Sequence, residues 1–390
     1  MRPVHIVYVT AGNGHRMAAK ALRESLDMRH VPNVIMDLLD FSSDLFKWSY
    51  SDVYAFVSEH AHLACRIMYD LTNKDKRESA VLRLYEKVSV ENVKKFMRYV
   101  SENAPEECIC THFFPLNVLS RMKGQGLYGG KLYSLVTDYG LHRMWVNDHV
   151  DCYFVPNDAV RNELLSLGVR GDRIVLSGIP VLSKYSRIWP TKRDFSAERL
   201  SVLFISSSVS NSMAVGILRK LSATGLPLGI TVVTGRNRDL IADIESLTLS
   251  ENLSLNVLGF VHNLDELMAR SSLLITKPGG LTVSEALCAS VPMILVNPIP
   301  KQEVNNAVYL EENGAGILAR NAGAVRDMVS LFHADRKRLA AMEEAASSIA
   351  LPNAANTVID RVLGEHRPHG GAMAEHADGA VRTEGSPLSR

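Results

Sequence analysis

Strand-like and helix-like segments alternate along this chain in two successive series, and that alternation leaves few folds open. In the first series, short apolar runs near 4–10, 33–38, 107–111, 132–137 and 151–155 are separated by helical patterns such as 18–27, 91–103 and 158–167. An irregular, charged segment follows Gly178-Ile179-Pro180 and continues to Glu198, and a second series then begins, with strands near 200–206, 229–234, 253–258, 272–276 and 293–296. Short apolar strands alternating with helices require parallel sheets covered on both faces. The pattern predicts an α/β chain of two doubly wound, Rossmann-like domains facing a cleft: 1–182 and 199–350, with a linker at 183–198 marked by Pro180 and Pro190. A helix at 351–364 and a disordered tail at 365–390 complete the expected layout, since large apolar residues nearly vanish after Glu365.

Ligands of such folds bind outside the carboxyl ends of the strands. There the run Ile275-Thr276-Lys277-Pro278-Gly279-Gly280-Leu281-Thr282-Val283-Ser284-Glu285-Ala286 reads as a buried strand, a glycine turn and the first turn of a helix. That geometry aims unpaired backbone N–H groups at whatever lies above and makes an anion site. Glu285, one turn into the helix, suits the cis hydroxyls of a ribose, and Gln302-Glu303 follow downstream. Together they predict a nucleoside diphosphate held by its phosphates and its sugar.

A second glycine turn, Thr10-Ala11-Gly12-Asn13-Gly14-His15-Arg16, follows the first strand. As a dinucleotide fingerprint it is incomplete, because Met17 holds the third glycine position, although Asp37 sits where a ribose-binding acid would. The glycines allow close approach of a ligand and put His15 at the cleft, near a helix N-terminus that favours the neutral imidazole. A neutral imidazole accepts a proton from an attacking hydroxyl; capping the helix is the alternative role. Asp138 and His142, after the fourth strand, either line the acceptor side of the cleft or form a structural pair capping the next helix. His112 faces the same rim.

Composition narrows the classes. Hydrophobic residues make up 46% and charged residues 22%, and the net charge of +1 argues against a nucleic-acid binder that works by phosphate neutralisation. The cysteines (Cys65, Cys108, Cys110, Cys152, Cys288) are odd in number and scattered, which argues against a disulfide framework and leaves the reduced cytosol as the default compartment. No apolar run approaches the roughly 18 to 20 residues that span a bilayer. Residues 41–100 nevertheless interleave aromatics with Lys and Arg, either as a helical pair packed on its domain or as a surface for an anionic membrane.

The runs Thr10 to Leu22, Val136 to Trp145, Asp151 to Val155, Ser177 to Pro180, Ile275 to Ala286 and Pro300 to Ala307 occur in this order in one family. Over about residues 4–363 the chain resembles the monogalactosyldiacylglycerol synthase and processive diacylglycerol glucosyltransferase family, and more distantly the peptidoglycan GlcNAc transferase. The resemblance implies a GT-B fold and inverting transfer of a hexose from a UDP-sugar to the hydroxyl of a membrane lipid. It implies no metal and no cofactor beyond the donor substrate, and the sequence contains no Asp-x-Asp. It implies a cytosolic enzyme attached peripherally to the membrane. By the same resemblance His15 is the general base, and Gly12, Asn13, Gly14, Asp138 and His142 flank the acceptor. Lys277, Gly279, Gly280, Leu281 and Thr282 surround the phosphates, Glu285 holds the ribose, Phe260 and Val261 face the uracil, and Gln302 with Glu303 reads the sugar hydroxyls. One departure stands out: Ser206-Ser207-Ser208 follows the strand that opens the second domain, where relatives carry glycines. Ser207 and Ser208 retain N–H and hydroxyl donors for a diphosphate but narrow the approach to it. The rivals on sequence grounds are a UDP-GlcNAc 2-epimerase-like enzyme and a nucleotide-sugar-binding protein without turnover.

Overall fold

The computed structural model describes residues 2–10, 12–44, 46–47, 73, 91–187, 193–298 and 301–364. The tail at 365–390, most of the 41–100 insertion and residues 188–192 of the linker lie outside the described residues. Two six-stranded sheets, parallel throughout, organise the chain. The first comprises β1 (Val4–Tyr8), β2 (Asn33–Asp37), β3 (Glu107–Cys110), β4 (Lys131–Leu135), β5 (Cys152–Val155) and β6 (Ile174–Leu176), in the order β2-β1-β3-β4-β5-β6. The second comprises β7 (Leu200–Ile205), β8 (Leu228–Val233), β9 (Leu253–Leu258), β10 (Leu273–Thr276), β11 (Met293–Val296) and β12 (Gly316–Ala319), in the order β9-β8-β7-β10-β11-β12.

Strand order reverses beside β1 in the first sheet and beside β7 in the second, and such switch points open a crevice at the carboxyl ends of the strands. The turns that follow β1, β3, β7 and β10 therefore converge on the cleft, and they include both glycine turns noted in the sequence. The central strands β5, β10 and β11 are buried at every residue, as a sheet covered on both faces demands. The sequence reading omits β6 and β12. Both are edge strands of three and four residues, only partly buried, and so lack the continuous apolar run of a central strand.

Helix α1 (Gly14–Met28) lays Ala18, Ala19, Leu22 and Leu26 on the first sheet. The last described helix, α13 (Ala354–Val362), packs on the same cluster through Val358, Ile359 and Val362 rather than on the second sheet that precedes it. Two polar contacts fix it: Ser25 Oγ donates to Asn356 Oδ1 at 2.9 Å, and Arg29 pairs with Asp360 at 2.6 Å. The chain thus crosses from the first unit to the second near residue 183 and returns near residue 350. Arg193, 5% exposed at its side chain, secures the outward crossing by donating to the carbonyls of Met268, Ser271, Ala289 and Ser290 and pairing with Glu343. No described helix is long and apolar enough to cross a membrane.

Ile359 is fully buried, so Ile359→Ala should lower unfolding stability by about 2 to 5 kcal/mol in urea titration, the usual range for an aliphatic core truncation. An unchanged midpoint would mean that α13 does not dock on α1 in solution.

Candidate active site

On the first domain the site is built on the turn between β1 and α1. Gly12 adopts φ +80°, a left-handed conformation that side chains resist, and this turns the chain into α1. His15 follows in the first turn of the helix. Its Nδ1 lies 2.7 Å from the Thr111 carbonyl and 3.1 Å from Thr137 Oγ1. A carbonyl only accepts, so Nδ1 carries the hydrogen and the basic lone pair resides on Nε2. Thr111 Oγ1 in turn donates to the His15 carbonyl at 3.0 Å. Burial pushes the imidazole pKa down to about 4, against the smaller upward pull of the Thr111 hydrogen bond. His15 is therefore neutral at pH 7, as a general base must be.

Several neighbours resolve into structural roles. His112 is buried edge-on against His15, ring centroids 4.6 Å apart, and accepts from Phe114 N at the start of helix α3 (Phe113–Gly124). His142 caps the short 3-10 turn Arg143–Trp145 by accepting from Met144 N at 3.2 Å, which is the capping alternative raised from the sequence. Asp37 accepts from Leu39 N and from Thr10 Oγ1 and so stitches the end of β2 to the turn after β1. Asn13 sits at the N-cap of α1, exposed and without a side-chain capping bond.

The second domain contributes helix α9 (Gly280–Cys288), whose N-cap is Gly279 and whose first turn has no side-chain cap. Its leading N–H groups remain open to an anion. Lys277 Nζ pairs with Glu303 at 3.2 Å, which joins the glycine turn to helix α10 (Lys301–Glu312). Beside that pair, Gln302 Oε1 is buried without a hydrogen-bond partner. An orphaned buried acceptor costs about 1–3 kcal/mol, and a ligand hydroxyl would recover it. Ser207 and Ser208 are exposed at the turn after β7, with the Cβ of Ser207 against Gly235. Phe260, after β9, is 62% exposed, with the Arg236 guanidinium 5.9 Å from its ring centroid; Val261 beside it is half-buried.

Glu285 is buried inside α9 against Tyr185 of the short helix α5 (Ser183–Ser186). Burial pushes its pKa up to about 8, although the Lys184 charge and the Tyr185 hydrogen bond pull it down. Lys184 also pairs with Asp265 at 2.8 Å, while Ser183 donates twice to the Glu24 carboxylate of α1. The expected ribose carboxylate therefore rests on the segment that joins the two domains.

The two halves meet. A Cβ placed on Gly14 would lie 3.8 Å from Leu281 Cβ, and one placed on Gly280 would lie 2.2 Å from the Thr137 carbonyl oxygen. Thr282 follows, half-buried, in the same turn of α9. Asp138, pushed by burial up to about 7, accepts from Asn306 Nδ2 at 3.3 Å. Tyr139 N donates to Asn306 Oδ1 at 2.7 Å, and the Tyr139 hydroxyl lies 2.9 Å from Ser284 Oγ. In the sequence no local signal marks Asn306, Tyr139 or Thr137, because their partners lie up to 168 residues away.

The profile of monogalactosyldiacylglycerol (MGDG) synthase matches residues 15–181, and that of the glycosyltransferase family 28 C-terminal domain matches residues 206–358. Processive diacylglycerol beta-glucosyltransferases from Bacillus cereus (strain B4264) and Bacillus cytotoxicus are 32% and 30% identical to the chain over 370 residues, covering 91% of it and 92% of each relative. The chain belongs to the diacylglycerol glycosyltransferase family. Among solved structures, MurG of Acinetobacter baumannii is similar at TM-score 0.59 and 16% identity, covering 93% of this chain and all of that one. UDP-GlcNAc 2-epimerase of Neisseria meningitidis is similar at TM-score 0.57 and 14% identity, with the same coverage of this chain. These likenesses establish the GT-B fold, which transferases and epimerases share; the sequence relatives separate the two.

The carboxyls of Asp138 and Glu285 keep their protons to about pH 7 and 8 when folded, against ordinary values of 3.8 and 4.5. Between those limits the folded chain binds more protons than the unfolded one, so their contribution to stability is full at acid pH and is lost as pH rises through 7 to 8. Glu285→Gln removes its share of that loss. The melting-temperature advantage of the ligand-free variant over wild type should grow between about pH 5 and about pH 8.5, and a difference independent of pH would contradict the burial of an ionisable Glu285.

Proposed function

We propose that this glycosyltransferase transfers a hexose, with inversion, from a UDP-sugar to the free hydroxyl of diacylglycerol at a membrane surface, with His15 as general base. The observation that carries the reading is the commitment of His15 Nδ1 to the Thr111 carbonyl, which leaves a neutral, basic Nε2 on a domain edge that meets the uncapped N-terminus of α9. The substrate classes are those named for the Bacillus relatives and implied by the family resemblance.

In this reading the diphosphate lies over the N–H groups of Gly280, Leu281 and Thr282, with Gly279 and Lys277 beside it and Ser207 and Ser208 closing the opposite side. Uracil rests near Phe260 and Val261. The ribose hydroxyls replace the Tyr185 contact of Glu285, and a sugar hydroxyl donates to the orphaned Gln302 Oε1 next to Glu303. The acceptor enters past Gly12 and Gly14, whose lack of side chains leaves room for a lipid headgroup. As its oxygen bonds to the anomeric carbon, its proton passes to His15 Nε2 and the bond to the diphosphate oxygen breaks with its electron pair. The helix terminus stabilises the charge that accumulates on the leaving diphosphate, a stabilisation greater in the transition state than in the ground state. The aromatic and basic residues of 41–100 supply the contact with an anionic membrane, and the enzyme works from the cytosol.

His15→Ala should lower turnover on UDP-hexose and diacylglycerol vesicles by roughly 10² to 10⁴, the range for a lost general base, while calorimetry shows UDP bound as by wild type. Loss of UDP binding instead would remove His15 from the catalytic role. A panel of UDP-sugars incubated with total lipid extract, read by mass spectrometry, identifies donor and acceptor. A sugar epimer formed without lipid would point to the epimerase chemistry of the fold, and binding without any product would mark an inactive member of the family.

A further inference from the structure

Asn306 is fully buried on the first turns of α10 and makes three hydrogen bonds that no two neighbouring residues could satisfy. Its Nδ2 donates to the Pro278 carbonyl of the phosphate turn at 3.0 Å and to Asp138 Oδ1 at 3.3 Å, while its Oδ1 accepts from Tyr139 N at 2.7 Å. The amide can be oriented only one way here, because two acceptors face its nitrogen and one donor faces its oxygen. The residue immediately before Asp138 is Thr137, whose hydroxyl lies 3.1 Å from His15 Nδ1 and whose carbonyl abuts Gly280. A continuous path therefore runs from the phosphate turn through one side chain of the second domain to the imidazole of the first. Its flanks are held by Tyr139, which is stacked on Tyr309 at 4.7 Å between ring centroids and bonded through its hydroxyl to Ser284.

We infer that Asn306 is a positioning residue for transfer, fixing segment 137–139, and through Thr137 the His15 ring, in register with the phosphate turn of α9. It acts across the domain seam and touches neither donor nor acceptor in this role. The inference rests on the functional reading above, in which His15 is the base and α9 binds the diphosphate. Its chemical basis is that a base and a leaving-group site carried on separate domains are productive only at one relative placement. Displacement of about 1 Å in such an arrangement costs on the order of 100-fold in rate.

The test compares Asn306→Ala, Asn306→Asp, Thr137→Ala and the Asn306→Ala/Thr137→Ala pair, with turnover expressed per UDP-binding site so that unfolded protein does not enter it. Asn306→Asp keeps the acceptor for Tyr139 N and serves where the alanine variant folds poorly. The expected result is a kcat lowered roughly 10- to 100-fold in either Asn306 variant with little change in donor KM. The double variant should lose less than the product of its single losses, because both act on the same ring. Wild-type kcat, a rise in donor KM alone, or multiplicative losses would each overturn the proposal. A second measurement needs no turnover: the ¹⁵N resonances of His15 in histidine-labelled protein should shift in the Asn306 variants as the Thr137 contact changes, with the Nδ1–H tautomer retained by Thr111, and unchanged resonances would also overturn it. Wild-type protein that transfers no hexose from any UDP-sugar would sink the functional reading, whereas active wild type with indifferent Asn306 variants would sink this inference alone.

Discussion

Nothing larger than hydrogen fits between the first residue of helix α9 and the Thr137 carbonyl of the facing domain. A Cβ on Gly280 would stand 2.2 Å from that oxygen, well inside contact distance. This backbone-to-backbone approach brings the open N-terminus of α9 up to the loop that contacts His15. The remaining seam contacts follow from it: Tyr139 reaches Ser284, Asn306 reaches Asp138, and Leu281 comes opposite Gly14. A glycine at this position thus leaves the helix N-terminus free of a side chain and lets the facing domain dock tightly against it.

The seam concentrates costly groups. Asp138 and Glu285 are carboxyls held in surroundings that disfavour their charge, while His15 and His112 are imidazoles held neutral by the same burial. Desolvation is the first cause in all four, ahead of any charge partner. Clustering of perturbed acids and bases at a cleft is what a catalytic site requires, since free-energy differences between protonation states are largest where water is excluded. The acids and bases of the seam act in opposite directions on the pH dependence of folding between about pH 4 and 6.5, and above that range only the loss due to the two carboxyls remains.

Much of this was readable in the amino-acid sequence, for physical reasons that also mark the limits. Strands buried on both faces must be continuous apolar runs, so β5, β10 and β11 were plain, whereas the edge strands β6 and β12 are only partly buried and lack that signature. The Pro-Gly-Gly turn announces itself because strand, turn and helix start within a few residues of one another. His142 could be read as either ligand or cap, and its bond to Met144 N shows the cap. The reach of Asn306 to Tyr139, the support of Glu285 by Tyr185 and the return of α13 to α1 were not legible. Each depends on a partner about a hundred or more residues away, and no local pattern encodes such a partner.

The return of α13 has a mechanical consequence. The polypeptide passes between the domains twice, and the two passages run side by side: a Cβ on Gly178 would meet Leu351 Cβ at 2.7 Å. Two adjacent crossings define a line, and bodies joined along a line swing about it but do not twist freely or slide apart. Two such passages restrain relative movement of the domains more than one linker would. Glu24 and Glu285 bear on α5 beside the outward passage, one from each domain.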